Sequence, residues 1–267
     1  MGVLKQVRDS LDEPRLKDVD VDSDQLLVIH RAILQEKPMM SQVFKEFYDL
    51  CINLDRRYFS GDAKRVEIGA GVSFFKKLYP EIVSTDIKRA DNLDMVLDAQ
   101  NMALPDLSTK AFYGLNCFHH FPEPCKFFDE LKRVLVPGGG CVLIEPYFGL
   151  VAERFYQNVH EVETFDSTQA EWENSALGFS SNANQALSYI VFVRDRQKFE
   201  RLYPELEIVV QRPIHNYLRY LLSGGLNFRQ VLPSWTSPLI KLAETLLIPV
   251  SRVLALHHVI VVRKRAL

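Results

Sequence analysis

The chain has 267 residues, 47% hydrophobic and 25% charged, a composition that excludes disorder over its whole length. With 32 basic against 34 acidic side chains the net charge is -2, which gives no general support for binding a nucleic acid backbone. The balance is uneven: residues 1–195 carry 21 basic and 30 acidic side chains, a net -9, whereas residues 196–267 carry 11 and 4, a net +7.

In chain order, the first residues, MGVLKQVRDSLDEPRLKD, contain no apolar core of signal-peptide length, so a cytoplasmic setting is expected. The acidic run Asp18 to Asp24 reads as a solvated leader ending in a helix cap. Leu26, Leu27, His30, Ile33 and Leu34 then share one helical stripe, Pro38 breaks the run, and SQVFKEFYDLCINLDRRYF begins a second amphipathic helix. Residues 1–60 are therefore expected to form a helical flank or lid. From Lys64, short β-branched runs alternate with helical stretches: KRVEI, SFFKKLY, IVSTDI, MVLDA, AFYGLNC, PCKFFDELKRVL and GCVLIEPY. This alternation predicts a parallel α/β sheet, with a ligand-binding core over 61–150. Two further strands are predicted at Leu206 to Arg212 and His258 to Arg265. They leave an insertion at 151–205 and place a second, apolar and helical one within 206–267. Cys51, Cys117, Cys125 and Cys141 form no CxxC pair and have no His at zinc-ligand spacing, which fits a reduced compartment.

The segment VEIGAGVSFFKKLYP carries the most information. A strand runs into Gly69, Ala70 and Gly71 and then into a helix; glycines let the backbone approach a ligand, and helix N–H groups face an anion. Glu67 precedes the turn, and Asp86 ends the next strand at the spacing of a carboxylate that grips a ribose diol. Phe74 stands where a dinucleotide fingerprint needs its third glycine, which disfavours a dinucleotide oxidoreductase. Taken singly, Glu67 could be a satisfied strand-end group, Asp86 a helix cap and Asp98 a turn residue.

The stretch resembles motif I of the class I S-adenosylmethionine-dependent methyltransferases, and the likeness to the type 11 methyltransferases continues to about residue 147. It implies a Rossmann-like, mostly parallel seven-stranded sheet with an antiparallel last strand, and S-adenosylmethionine as cofactor. By the same resemblance Glu67, Gly69, Ala70 and Gly71 form the cofactor turn, Asp86 with Ile87 lies at the ribose, Asp98 and Ala99 lie at the adenine, and Asn116 to Phe118 line the methionine and adenosine side. Ser73 departs from the family's alternating glycines. The glycine run Pro137 to Gly140 is read as a tight turn without a binding role.

The acceptor side holds the candidates for chemistry. His119 and His120 follow the fourth strand at the carboxyl edge of the sheet, where either imidazole could take a hydroxyl proton; His120 is the first choice. Glu145 after the fifth strand matches an acid found there in O-methylating relatives. A second cluster, His160, Glu161, Glu163 and Asp166, would place His160 and Glu163 on one face of a helix, and His160 joins the catalytic candidates. Only two ligands are local there, so no metal is expected. No D/N-P-P-Y/F tetrapeptide follows strand four, which argues against DNA as substrate. Over 213–257, aliphatic runs, aromatics and scattered Arg read either as a helical subdomain packed on the sheet or as peripheral membrane contact. The expected activity is O-methylation of a glycan, a lipid-linked sugar or another small molecule. C-methylation of a quinone-like lipid and non-catalytic cofactor binding at a membrane are the alternatives.

Overall fold

The computed structural model describes residues 10–20, 23–159, 163–173 and 183–266. Helix α1 (Asp24–Glu36) starts at Ser23, whose hydroxyl accepts the Leu26 N–H and so satisfies one of the helix's unpaired first-turn donors. Helix α2 (Pro38–Tyr58) begins at Pro38 itself rather than after it, because a proline in the first turn gives up only an N–H that has no helical partner. Met40, Val43, Phe44, Phe47, Tyr48, Cys51 and Ile52 form its buried stripe.

Seven strands follow: β1 (Lys64–Ile68), β2 (Ile82–Asp86), β3 (Met95–Val96), β4 (Thr109–Leu115), β5 (Leu135–Pro146), β6 (Leu206–Pro213) and β7 (His257–Lys264). They form one sheet in the order β3-β2-β1-β4-β5-β7-β6; β1 to β5 pair in parallel and β7 runs antiparallel to both neighbours. The order reverses between β1 and β4, so the loops leaving these two strands face each other across the crevice where open α/β sheets bind ligands.

Each face of the sheet has its own core. On one face α2 lays Phe44, Phe47 and Tyr48 against Val142, Ile144, Val259 and Val261. On the other, α4 (Pro124–Val134) contributes Phe127, Phe128 and Leu131, which pack with Phe118, Phe192, Phe199, Leu143 and Ile260. Two expected elements shrink. The helix after the glycine turn is a single turn, α3 (Phe75–Leu78), and β3 is two residues long because Asp98 already opens a turn by accepting the Gln100 N–H. The glycine run lies inside β5, where a Cβ at Gly140 would come 2.4 Å from the Val262 carbonyl oxygen; these glycines serve backbone packing.

After α5 (Leu150–Asn158) come the short helix α6 (Leu187–Tyr189), which continues as a π turn over Ile190–Arg194, and α7 (Arg196–Leu202). The expected helix through His160 to Asp166 is absent from its described part, since Thr164 makes an isolated β-bridge with Asn184. His160 and Glu161 lie outside the described residues. Between β6 and β7 are α8 (Tyr217–Leu222), α9 (Ser237–Leu246) and α10 (Ser251–Leu254). Among the described residues no helix is long and apolar enough to cross a membrane.

Candidate cofactor and acceptor site

Gly69 leaves β1 with φ +67°, and a Cβ there would sit 2.6 Å from the Cys117 Cβ in the loop after β4. Only glycine permits both the left-handed turn and this approach. Ala70 is held by its N–H to the Thr85 carbonyl at 2.9 Å. Asp86, the last residue of β2, takes the Gly71 N–H on Oδ2 at 2.9 Å and the Lys88 N–H on Oδ1 at 3.0 Å, which leaves lone pairs on both oxygens for further donors. Ile87 beside it is an exposed aliphatic side chain.

Glu67 lies buried beneath this turn. Burial pushes its carboxyl up to about 8, against the pull of the Ser73 hydroxyl and with help from the charge of Asp86, and its Oε2 has no hydrogen-bond partner. Across the crevice Asn116 holds a left-handed φ of +48°, and its buried Oδ1 is also without a partner. Two orphaned acceptors and an exposed aliphatic residue around a glycine turn fit a ligand with ammonium and hydroxyl donors and a flat base, as S-adenosylmethionine has. Asp98 stands at the end of β3, partly exposed, next to buried Ala99.

Three neighbours of the turn were not visible in the sequence. Leu27 of α1 packs over Gly71, Arg31 of α1 donates to the Gly71 carbonyl at 3.0 Å and also pairs with Asn92, and the Tyr48 hydroxyl bonds the Ser73 side chain at 3.0 Å. Leu27 was readable as part of an apolar stripe, but nothing local marks Arg31 or Tyr48 as neighbours of a loop so distant in sequence. Ahead of α3 the Ser73 Oγ accepts the Phe75 N–H at 3.0 Å, a side-chain turn that leads into the helix.

On the acceptor side Glu145 is fully enclosed and its carboxylate is spent. Oε1 accepts the N–H groups of Cys117 and Phe118 at 2.9 Å each, and Oε2 lies 2.6 Å from His119 Nδ1. Burial alone would raise its pKa, but His119 and these N–H groups hold it below the ordinary carboxylate range. Glu145, a catalytic candidate, is thus tied by its carboxylate to the β4 loop. The ring of Phe118, a candidate for the cofactor side, is sealed among Phe121, Phe127, Phe128 and Phe192 in the core.

His119 is buried between two carboxylates. Burial disfavours its cation, yet Glu145 and Glu163 outweigh that and push it up to about 10. Its Nε2 is 3.2 Å from Glu163 Oε2, and His120 Nε2 is 3.5 Å from Glu163 Oε1. His120 retains partial exposure, with 28% of its side chain accessible. The fold thus joins Glu163, from the first insertion, to the histidine pair, a contact that local spacing could not reveal. Beyond Glu145, a cavity of 310 Å³ lies among Tyr147, Phe148, Tyr189, Arg212, Arg252 and His258.

Residues 67–143 match the family described as a methyltransferase domain. No curated protein matches the chain in sequence. Among solved structures, a chain of the complex between the Haloferax volcanii Trm112 methyltransferase activator and a methyltransferase is 11% identical, with a TM-score of 0.50, over 94% of this chain and all of that one; the likeness is one of fold. The Haemonchus contortus phosphoethanolamine N-methyltransferase 2 in complex with S-adenosylmethionine is 11% identical over 95% of this chain and 59% of its own, at a TM-score of 0.48. The geranyl diphosphate C-methyltransferase of Streptomyces coelicolor A3(2) is 12% identical over 96% and 88%, at 0.46. The methyltransferase domain matched over residues 67–143 carries the glycine turn within this sheet, as in a class I S-adenosylmethionine-dependent methyltransferase. Its cofactor is S-adenosylmethionine.

Proposed function

We propose that this methyltransferase acts on a hydroxyl of a small-molecule acceptor, a glycan or a sugar carried on a lipid, and meets that acceptor at a membrane surface. The observation that carries O-methylation is His120, partly exposed on the β4 loop that faces the glycine turn, paired with Glu163 from the first insertion. In this reading Glu67, Gly69, Ala70 and Gly71 cradle the methionine part of the cofactor. Asp86 and Ile87 take the ribose, Asp98 and Ala99 the adenine, and Asn116 accepts a cofactor donor on its orphaned oxygen.

S-adenosylmethionine supplies the sulfonium methyl, so the chain's own residues have to align the acceptor oxygen and remove its proton. His120 receives that proton and Glu163 stabilises the imidazolium. Glu145 and His119 act one step back: a buried carboxylate and an imidazole held by it fix the loop that carries His120. The 310 Å³ cavity supports an acceptor with an anionic group, since Arg212 and Arg252 have no carboxylate partner among the described residues and stand beside three aromatic rings. The membrane part of the reading is supported by the apolar row of α9.

The test is methyl transfer to a panel of free sugars, phosphorylated sugars and lipid-linked sugars, with the modified atom located by mass spectrometry. An ether oxygen is the expected product. His120→Ala should lower turnover by about 100-fold or more, as expected for a lost general base, while S-adenosylmethionine binds as before. A methyl group found on carbon, or full turnover in that variant, would overturn the reading.

A further inference from the structure

We propose that His119, His120 and Glu163 form a binding site for one divalent first-row transition cation, held by the two Nε2 atoms and the Glu163 carboxylate. One donor atom from each residue can be chosen so that all lie within 4.8 Å of one another. The His119 Nε2 to Oε2 and His120 Nε2 to Oε1 separations are 3.2 and 3.5 Å. Donors bound to a single zinc-sized ion at about 2.0 to 2.2 Å stand roughly 3 to 3.5 Å apart, so an ion enters with small side-chain adjustments.

The surroundings are those of a ligand histidine. His119 directs Nδ1 at Glu145 Oε2, 2.6 Å away, which fixes the ring and keeps the proton on Nδ1, leaving Nε2 as the lone-pair donor. Glu145 is itself locked by the Cys117 and Phe118 N–H groups, so the ligand is oriented by backbone. Charge points the same way. Two carboxylates flank His119, and a divalent ion in place of a proton on Nε2 neutralises both. Two imidazoles with one carboxylate suit zinc, cobalt, manganese or iron; magnesium prefers an all-oxygen shell.

This inference rests on the O-methylation reading only for the ion's role. A hydroxyl coordinated there loses its proton to water more readily, and His120 then serves as a ligand; proton removal by His120 is the chemistry of the ion-free protein.

The full chain, stripped with a chelator, is titrated with Zn2+, Co2+ and Mg2+ by calorimetry, and the Co2+ form is examined by visible absorption. One Zn2+ or Co2+ per chain is expected, with Co2+ bands characteristic of nitrogen and oxygen ligands and no response to Mg2+. Glu163→Gln and His120→Ala should each weaken Zn2+ binding at least tenfold, while S-adenosylmethionine binding, measured in parallel, reports that both variants remain folded. No stoichiometric Zn2+ or Co2+ binding, or affinity unchanged in both variants, overturns the site. The outcome is independent of methyl transfer: metal binding without any methylated product refutes the O-methylation reading alone, and chelator-resistant methylation by a protein that binds no ion refutes the metal alone.

Discussion

Glu67 ends β1 with its carboxyl sealed under the glycine turn, and burial raises its pKa to about 8 from an ordinary 4.5. In the folded, cofactor-free protein it therefore keeps a proton that the unfolded chain releases. Between these two values the native state binds more protons, so this contribution to stability is complete below 4.5 and is lost as pH rises through 8. The thermal midpoint of the cofactor-free protein should fall from pH 5 to pH 8, and Glu67→Gln should flatten that part of the curve. An identical slope in wild type and variant would show that Glu67 is ionised throughout. Glu145 is equally buried but shifted the other way, because His119 and two backbone N–H groups meet it whereas one oxygen of Glu67 meets nothing. Both residues were recognisable in the sequence as acids at strand ends. Which one is satisfied depends on loops folded over them, and no local pattern encodes that.

At the scale of elements, a buried arginine is one of the ties that fasten the helical segment between β6 and β7, beside the Lys37 bonds to Gly225 and Phe228 and the Ser237 bond to Gln42. Arg219 of α8 is buried; its Nε donates to Glu244 Oε2 at 2.7 Å, and its two terminal nitrogens meet Glu46 of α2 at 2.8 and 2.7 Å. Burial holds Glu244 above the ordinary carboxylate range despite Arg219, whereas Glu46, closer to solvent and also bonded to Lys241, lies below it. Removing the arginine leaves Glu244 buried without its counter-charge. Arg219→Ala should cost about 3 to 5 kcal/mol, read as a lowered denaturant midpoint, and Glu244→Gln added to it should recover part of the loss. A midpoint within error of wild type would mean that apolar packing and the remaining polar ties hold the segment without this arginine. Local pattern predicted most strands here, since alternating β-branched runs and the strand-to-glycine turn are local signals. It overestimated β3, which ends where Asp98 hydrogen-bonds to nearby backbone, and α3, which stops at Leu78 just before Pro80. It read Glu163 as part of a helical face because its true partners, His119 and His120, arrive from another strand.

Over the whole molecule the near-neutral charge separates into two surfaces. The acidic 195 residues build the crevice between β1 and β4, and the +7 remainder carries α8 to α10. Helix α9 buries Ser237, Ile240 and Glu244 and turns Leu239, Leu242 and Leu246 outward at 66, 59 and 74% exposure. Trp235 beside them is 76% exposed, and Ile248, Val250 and Val253 extend the patch toward Arg252 at the rim of the 310 Å³ cavity. An outward apolar row with basic side chains near it matches a helix lying in the headgroup region of an anionic bilayer. On this reading the cavity mouth faces the lipid, so an anchored acceptor could enter with its charged group between Arg212 and Arg252. The protein should co-sediment with vesicles containing anionic phosphatidylglycerol at low salt and less so at high salt. Burying one leucine side chain is worth about 1.5 to 3 kcal/mol, so the triple change of Leu239, Leu242 and Leu246 to Ser should reduce partitioning at least about 100-fold. These side chains point away from the core, and the thermal midpoint should stay close to that of wild type. Equal sedimentation of the two proteins, or none of wild type at low salt, would refute the lipid reading and direct the search toward a protein partner for this face.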